Sequence, residues 1–180
     1  MAPHRLLITV VAALALTAAA PASAQRPSIE DALAGFAGSL TAPPDAPSLT
    51  MRGTVYAPSY SALRTGSGKG KLDFAATLSV RNASEDKPLV LERIDYVDTS
   101  GKLVERFLAK PVALRPFAAV EFFVAKEDTR GGTSAHFVVN WAAAGPIAEP
   151  VVETVMISSQ GNFSYSFVTP GRPVRLVTGP

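Results

Sequence analysis

Residues 72–81, LDFAATLSVR, decide how the rest of the chain is read. Leu72, Phe74, Ala76, Leu78 and Val80 alternate with Asp73, Ala75, Thr77, Ser79 and Arg81. An extended backbone sends the first set to one face and the second, small or polar, to the other. The same period of two returns in Val120, Phe122 and Val124, and in Ala135, Phe137, Val139 and Trp141. Val90, Ile94 and Tyr96 mark another strand, and Val151 to Ile157 and Phe163 to Val168 supply two more. The segment DTSGKL at 98–103, with Gly101 able to take positive φ, turns the chain from Tyr96 back through Leu103, Glu105 and Phe107. No strong helical periodicity follows Met51. About eight short strands joined by turn chemistry predict an all-β fold of two packed antiparallel sheets. An immunoglobulin-like β-sandwich is the first choice and a barrel the second.

Upstream the composition is different. MAPHRLLITVVAALALTAAAPASAQ has a basic start at His4 and Arg5, a largely apolar run from Leu6 to Ala20 and a small-residue site at Ala22-Ser23-Ala24. These are the marks of a signal peptide, residues 1–24, cleaved after Ala24. The run is about 15 residues, short of the roughly 20 that span a bilayer, so no membrane anchor is expected after cleavage. Residues 25–49 read as a linker ending in TAPPDAPSL, whose prolines stop a helix. Within it Ile29, Leu33, Phe36 and Leu40 fall at helical spacing behind Ser28, which suggests a short helix that either meets a partner or packs loosely on the domain. The β-sandwich domain takes residues 50–180.

The composition narrows the chemistry. The 180 residues carry 17 Lys and Arg against 15 Asp and Glu. Loss of Arg5 with the signal peptide brings the balance closer still to neutral, so neither nucleic acid nor an anionic membrane is an expected partner. With no cysteine and one histidine, His136, outside the first few residues, a zinc site lacks its ligands. Asp95, Asp98, Glu127 and Asp128 offer oxygens for calcium, but their spacing matches no compact calcium loop. TGSGKGKL, residues 65–72, lacks the spacing of a phosphate-cradling loop and reads as a hairpin carrying Lys69 and Lys71. There is no G-x-S-x-G turn to announce a nucleophilic serine. No cofactor is implied.

One stretch concentrates reactive residue types: EDTRGGTSAHFVVNW, Glu127 to Trp141. Alternation gives the interior to Ala135 and Phe137 and turns His136 the other way, to an exposed position. Asp98 and Asp128 are suited to bonding their own turns. Tyr56 and Tyr60, on either side of Pro58, are the candidate exposed aromatic pair, whereas Tyr96 and Trp141 are better placed in the core.

Several multi-residue words carry a resemblance: GTVYAPSYS (53–61), TLSVRN (77–82), IDYVDTSGKLV (94–104), KPVALRP (110–116), DTRGG (128–132), AHFVVNW (135–141), EPVVETVMI (149–157) and GR (171–172). In order and spacing they resemble the bacterial exported family called domain of unknown function 3124. The resemblance implies an all-β exported domain with no assigned reaction, so it hands over no catalytic residue. Asn is common in the family where His136 stands, so a histidine-dependent reaction is not implied. The matching words place a shared surface at the turns, Asp98, Gly101 and Lys102 together with Asp128, Gly131 and Gly132.

The resulting expectation is a periplasmic or secreted module that binds a partner protein or small ligand without covalent chemistry, through the two turns and Tyr56 and Tyr60. The alternatives are a carboxylate-based hydrolase of cell-envelope glycan, which needs two acids in one cleft, and a calcium-stabilised module.

Overall fold

The structure is a computed structural model describing residues 33–179. The signal-peptide reading and the first part of the suggested helix, including Ser28 and Ile29, lie outside the described residues. Thirteen strands run β1 (Leu40–Thr41), β2 (Met51–Ser59), β3 (Ala62–Thr65), β4 (Gly70–Asp73), β5 (Ala75–Arg81), β6 (Leu89–Val97), β7 (Leu103–Arg106), β8 (Val112–Leu114), β9 (Ala119–Val124), β10 (Ala135–Ala143), β11 (Val151–Gln160), β12 (Phe163–Pro170) and β13 (Arg172–Thr178). The larger sheet has the order β1-β8-β6-β10-β2-β13, with β7 also on β6; the smaller has β12-β11-β5-β9; β3 and β4 form a separate hairpin. Every pairing is antiparallel. The fold is the all-β sandwich expected, with more strands than the eight read from periodicity because β1, β3 and β8 are too short to show one and β13 is exposed along its whole length.

Alternation did set the interior. Leu72, Phe74, Ala76, Leu78 and Val80 are buried, as are Val120, Phe122 and Val124 from β9 and Phe137, Val139 and Trp141 from β10. Phe107 joins the layers, with its ring centroid 5.6 Å from Phe122 and 6.0 Å from Phe137. β6 departs from simple alternation. Asn140 pairs with Arg93 but Trp141 with Leu91, so Glu92 is an extra residue that shifts the strand's facing. Leu89 and Leu91 therefore share the main core with Ile94 and Tyr96, while Val90 falls on the opposite side in a small cluster with Ala113 and Ala142. Leu49 covers that cluster. The segment before Met51 is thus more than a linker: Leu33, Phe36 and Leu40 pack on the main core, and Leu40–Thr41 adds a strand to β8.

Two of the connections that pass between the sheets contrast with each other. β12 runs through Gly171 directly into β13, so one ribbon pairs with β11 in the smaller sheet and β2 in the larger. A Cβ at Gly171 would lie 2.7 Å from Val55 Cγ1 and 3.0 Å from the Val152 carbonyl oxygen, which leaves no room for a side chain at the corner. β8 reaches β9 through residues 115–118, where Phe117 takes φ of 57° and is exposed.

Gly53 stands opposite Trp141 in the β2–β10 ladder. A Cβ there would lie 2.5 Å from the indole Nε1 and 2.6 Å from Cζ2, and the indole is locked in the core, so neither partner can move aside cheaply. Gly53→Ala is expected to cost about 1–3 kcal/mol, lowering the Tm by roughly 2–12 °C, whereas Thr54→Ala stays within about 0.5 kcal/mol. Calorimetric melts of the two variants check this pair.

Candidate functional site

The turns singled out in the sequence meet at one end of the larger sheet. Asp98 closes its own turn: its Oδ1 accepts from the Ser100 amide at 2.8 Å, the Ser100 hydroxyl at 2.7 Å and the Lys102 amide at 2.9 Å. Those bonds, the Ser100 hydroxyl's foremost, hold its carboxyl below the usual range. Gly101 at φ 85° and Gly132 at φ 76° supply the left-handed residues the two bends need. Thr99 bridges them, donating from its amide at 3.0 Å and its hydroxyl at 3.1 Å to the Gly131 carbonyl, while its Oγ1 accepts from the Ser134 amide at 3.0 Å. Asp128 caps the 3-10 turn Thr129–Ser134 and grips Arg130, whose Nη2 also reaches Glu105 at 2.9 Å. A side chain at Gly131 would collide with the Tyr96 hydroxyl and come within 2.7 Å of Ser61 Oγ.

The two turns are therefore brought together, but Asp98 and Asp128 spend hydrogen bonds on their own turns, and Gly131 gives its carbonyl to Thr99 and its close approach to Tyr96. They frame a surface more than they form one. Lys102 is exposed beside Gly101. Tyr56 and Tyr60 do not share a platform: both are half-buried, Tyr56 stacks on His136 with centroids 4.5 Å apart, and Tyr60 packs on the core near Phe167 at 5.9 Å. They separate because Tyr60 lies past the end of β2, where the alternation that would have aligned them stops.

What the sequence did not single out is the outer face of the larger sheet. Cross-strand pairing lays its outward residues in rows. One row runs Arg175, Thr54, Asn140, Arg93; the next runs Arg172, Tyr56, Val138, Asp95, Arg106. A third places Pro58, His136, Val97 and Leu103 side by side. A shallow cleft of about 440 Å³ opens over these rows, lined by Thr54, Arg93, Asp95, Val97, Gly101, Leu103, His136, Val138 and Asn140. Of the residues proposed from sequence as a binding surface only Gly101 lines it, although Asp95 and His136, weighed for metal or acid–base roles, line it too.

Asp95 is its electrostatic centre, at 4% exposure. Burial alone would push its carboxyl up, but Arg93 Nε donates at 2.6 Å and Arg106 Nε at 3.0 Å, and these bonds with the two charges hold it below the usual range. Both oxygens are occupied and the group stays ionised, so Asp95 has no proton to give a leaving group. It is also the one acid among the lining residues, whereas most glycoside hydrolases use a pair. Among the described residues no three His, Cys, Asp or Glu side chains gather as a metal-ligand set.

His136 is half-buried, not exposed as alternation implied, because Tyr56 stacks on it and its Nδ1 is closed off from solvent with no group in hydrogen-bonding geometry. Burial lowers its pKa, against the opposing pull of the Ser134 main chain and the Asp98 charge. The imidazole is thus neutral at pH 7 in the folded chain. Since the unfolded chain binds the proton more readily, the stability this group contributes is complete above its unfolded pKa of about 6.5 and is lost as pH falls below it. His136→Gln is expected to flatten the decline of Tm between pH 7 and pH 5, which a melt series across that window measures.

No curated protein matches the chain. A solved structure, Thermotoga maritima 1070, shares 12% identity with a TM-score of 0.39, covering 67% of this chain and 92% of that one. A family profile matches residues 52–174, which takes in the cleft and Arg172 and stops one residue before Arg175. The chain belongs to the family described as Protein of unknown function (DUF3124).

Proposed function

We propose that the protein is an exported, non-catalytic binding module that holds an acidic group of a small ligand in the cleft on the larger sheet. The observation that carries this reading is the Arg93–Asp95–Arg106 cluster, in which one carboxylate stands between two guanidinium groups. The cluster retains a positive charge, and Arg93 presents it to a cleft whose other polar groups, Thr54 and Asn140, can donate hydrogen bonds. A planar guanidinium fork suits carboxylate or phosphate. A few convergent polar groups set in an otherwise apolar floor of Val97, Val138 and Leu103 are the usual make-up of a small-ligand site.

The non-catalytic part follows from Asp95. Its carboxylate is held ionised and filled with hydrogen bonds, which suits a group that orients arginines and not one that exchanges protons. Export rests on the basic, apolar and small-residue pattern of residues 1–24. The two turns that frame the cleft, Asp98–Lys102 and Asp128–Gly132, fix one of its ends and leave the ligand to the sheet face.

The test uses D-galacturonate as an acidic probe and D-galactose as its neutral counterpart, titrated by calorimetry or amide chemical shifts. Galacturonate is expected to bind and galactose not, and Arg93→Gln is expected to weaken galacturonate about tenfold or more, the effect of losing one charge-assisted hydrogen bond. Equal binding of the two sugars, or an Arg93→Gln variant that binds like the parent, overturns the reading.

A further inference from the structure

The cleft is the middle of a longer basic face. Five arginines stand on the outer side of the larger sheet: Arg52, Arg93, Arg106, Arg172 and Arg175. Two carboxylates share that side, Glu92 bonded to Arg52 and Asp95 between Arg93 and Arg106, so three positive charges are in excess. This excess belongs to a chain whose 17 basic and 15 acidic residues nearly cancel, so the charge is concentrated by the fold and not by composition. Among the described residues Arg172 and Arg175 make no ion pair, and both are exposed.

The arrangement has two borders. Arg175 and Arg93 end one row with Thr54 and Asn140 between them, three strand spacings or about 14 Å apart. Arg172 and Arg106 end the next row with Tyr56 in it, four spacings or about 19 Å apart. One acidic group can satisfy one border only. A hydroxyl, an amide and an aromatic ring lie between the borders, and these are the groups that meet sugar hydroxyls and sugar ring faces.

We infer that the outer face of the larger sheet binds an acidic polysaccharide, laid across the strands with carboxylates several sugars apart on the two arginine borders and its intervening sugar rings over Tyr56, Thr54 and Asn140. The inference rests on the binding reading above and extends it from one acidic group to a chain of them. A polymer gains over its monomer because the second border is met at high effective concentration once the first is engaged. Polyphosphate would use the arginines and the amide equally well but would make no use of the aromatic ring between them.

The experiment compares D-galacturonate, trigalacturonate, hexagalacturonate, polyphosphate of about the hexamer's charge and neutral dextran on the same protein, at 20 mM and 200 mM salt. Hexagalacturonate is expected to bind at least tenfold more tightly than the monomer, to lose that advantage at high salt, and to exceed polyphosphate. In the double variant Arg172→Gln, Arg175→Gln the hexamer-to-monomer ratio falls to about one, and Tyr56→Ala lowers the hexamer's affinity but not that of polyphosphate. Melting curves confirm that each variant is folded. Absence of monomer binding sinks the small-ligand reading itself; monomer binding without a gain in the hexamer sinks only the present inference. Polyphosphate equal to or tighter than the hexamer, or dextran binding as well as either, overturns the assignment to acidic glycan.

Discussion

The register of β2 against β10 is the constraint from which the rest of the molecule follows. Trp141 lies across the place where a side chain at residue 53 would begin, so the two strands have one way to meet. A slip of one residue would drive the indole into Thr54 or Arg52 and would exchange inner and outer residues along both strands. With the register held, Val55, Ala57, Phe137 and Val139 face the smaller sheet, and Thr54, Tyr56, Asn140 and His136 are committed to the outside. The chemistry of the outer face is therefore a by-product of core packing on the inner one.

This explains how much of the protein was legible in its sequence. Where the period of two ran unbroken, as in residues 72–80 and 135–141, burial followed from spacing alone. It failed at Val90, because an extra residue at Glu92 changes the strand's facing and no local pattern announces a bulge. It also missed β13. That strand is exposed along its whole length, so its residues carry no contrast between a buried and a solvent side. The site was less legible than the fold for a related reason. Arg93, Arg106, Arg172 and Arg175 come from three strands and become neighbours of Asp95 and Thr54 only through pairing, which a reading along the chain does not supply. Asp98, Gly101, Asp128 and Gly132 were conspicuous because turns use distinctive residues, and their conspicuousness reflects turn-making.

Those turns still matter to the face they adjoin. Thr99 and Gly131 join the two bends by main-chain and hydroxyl bonds, and Arg130 links Asp128 to Glu105 at the margin of β7. β7 in turn carries Arg106, so this network holds the backbone from which one guanidinium reaches Asp95. Arrangement of charge on the sheet and rigidity at its end are parts of one device.

The ribbon that passes through Gly171 gives the sandwich two unlike seams. On one side the same strand is stitched into both layers, with only a glycine at the fold of the cloth. On the other the layers are joined by a four-residue strap that holds Phe117 in a left-handed twist unfavourable to an aromatic residue. The strap is nonetheless fastened: Asn82, just past the end of β5, donates from its side chain to the Leu114 and Arg115 carbonyls and from its amide to the Ala118 carbonyl, so the book has a sewn spine at β12–β13 and a clasp at its fore-edge.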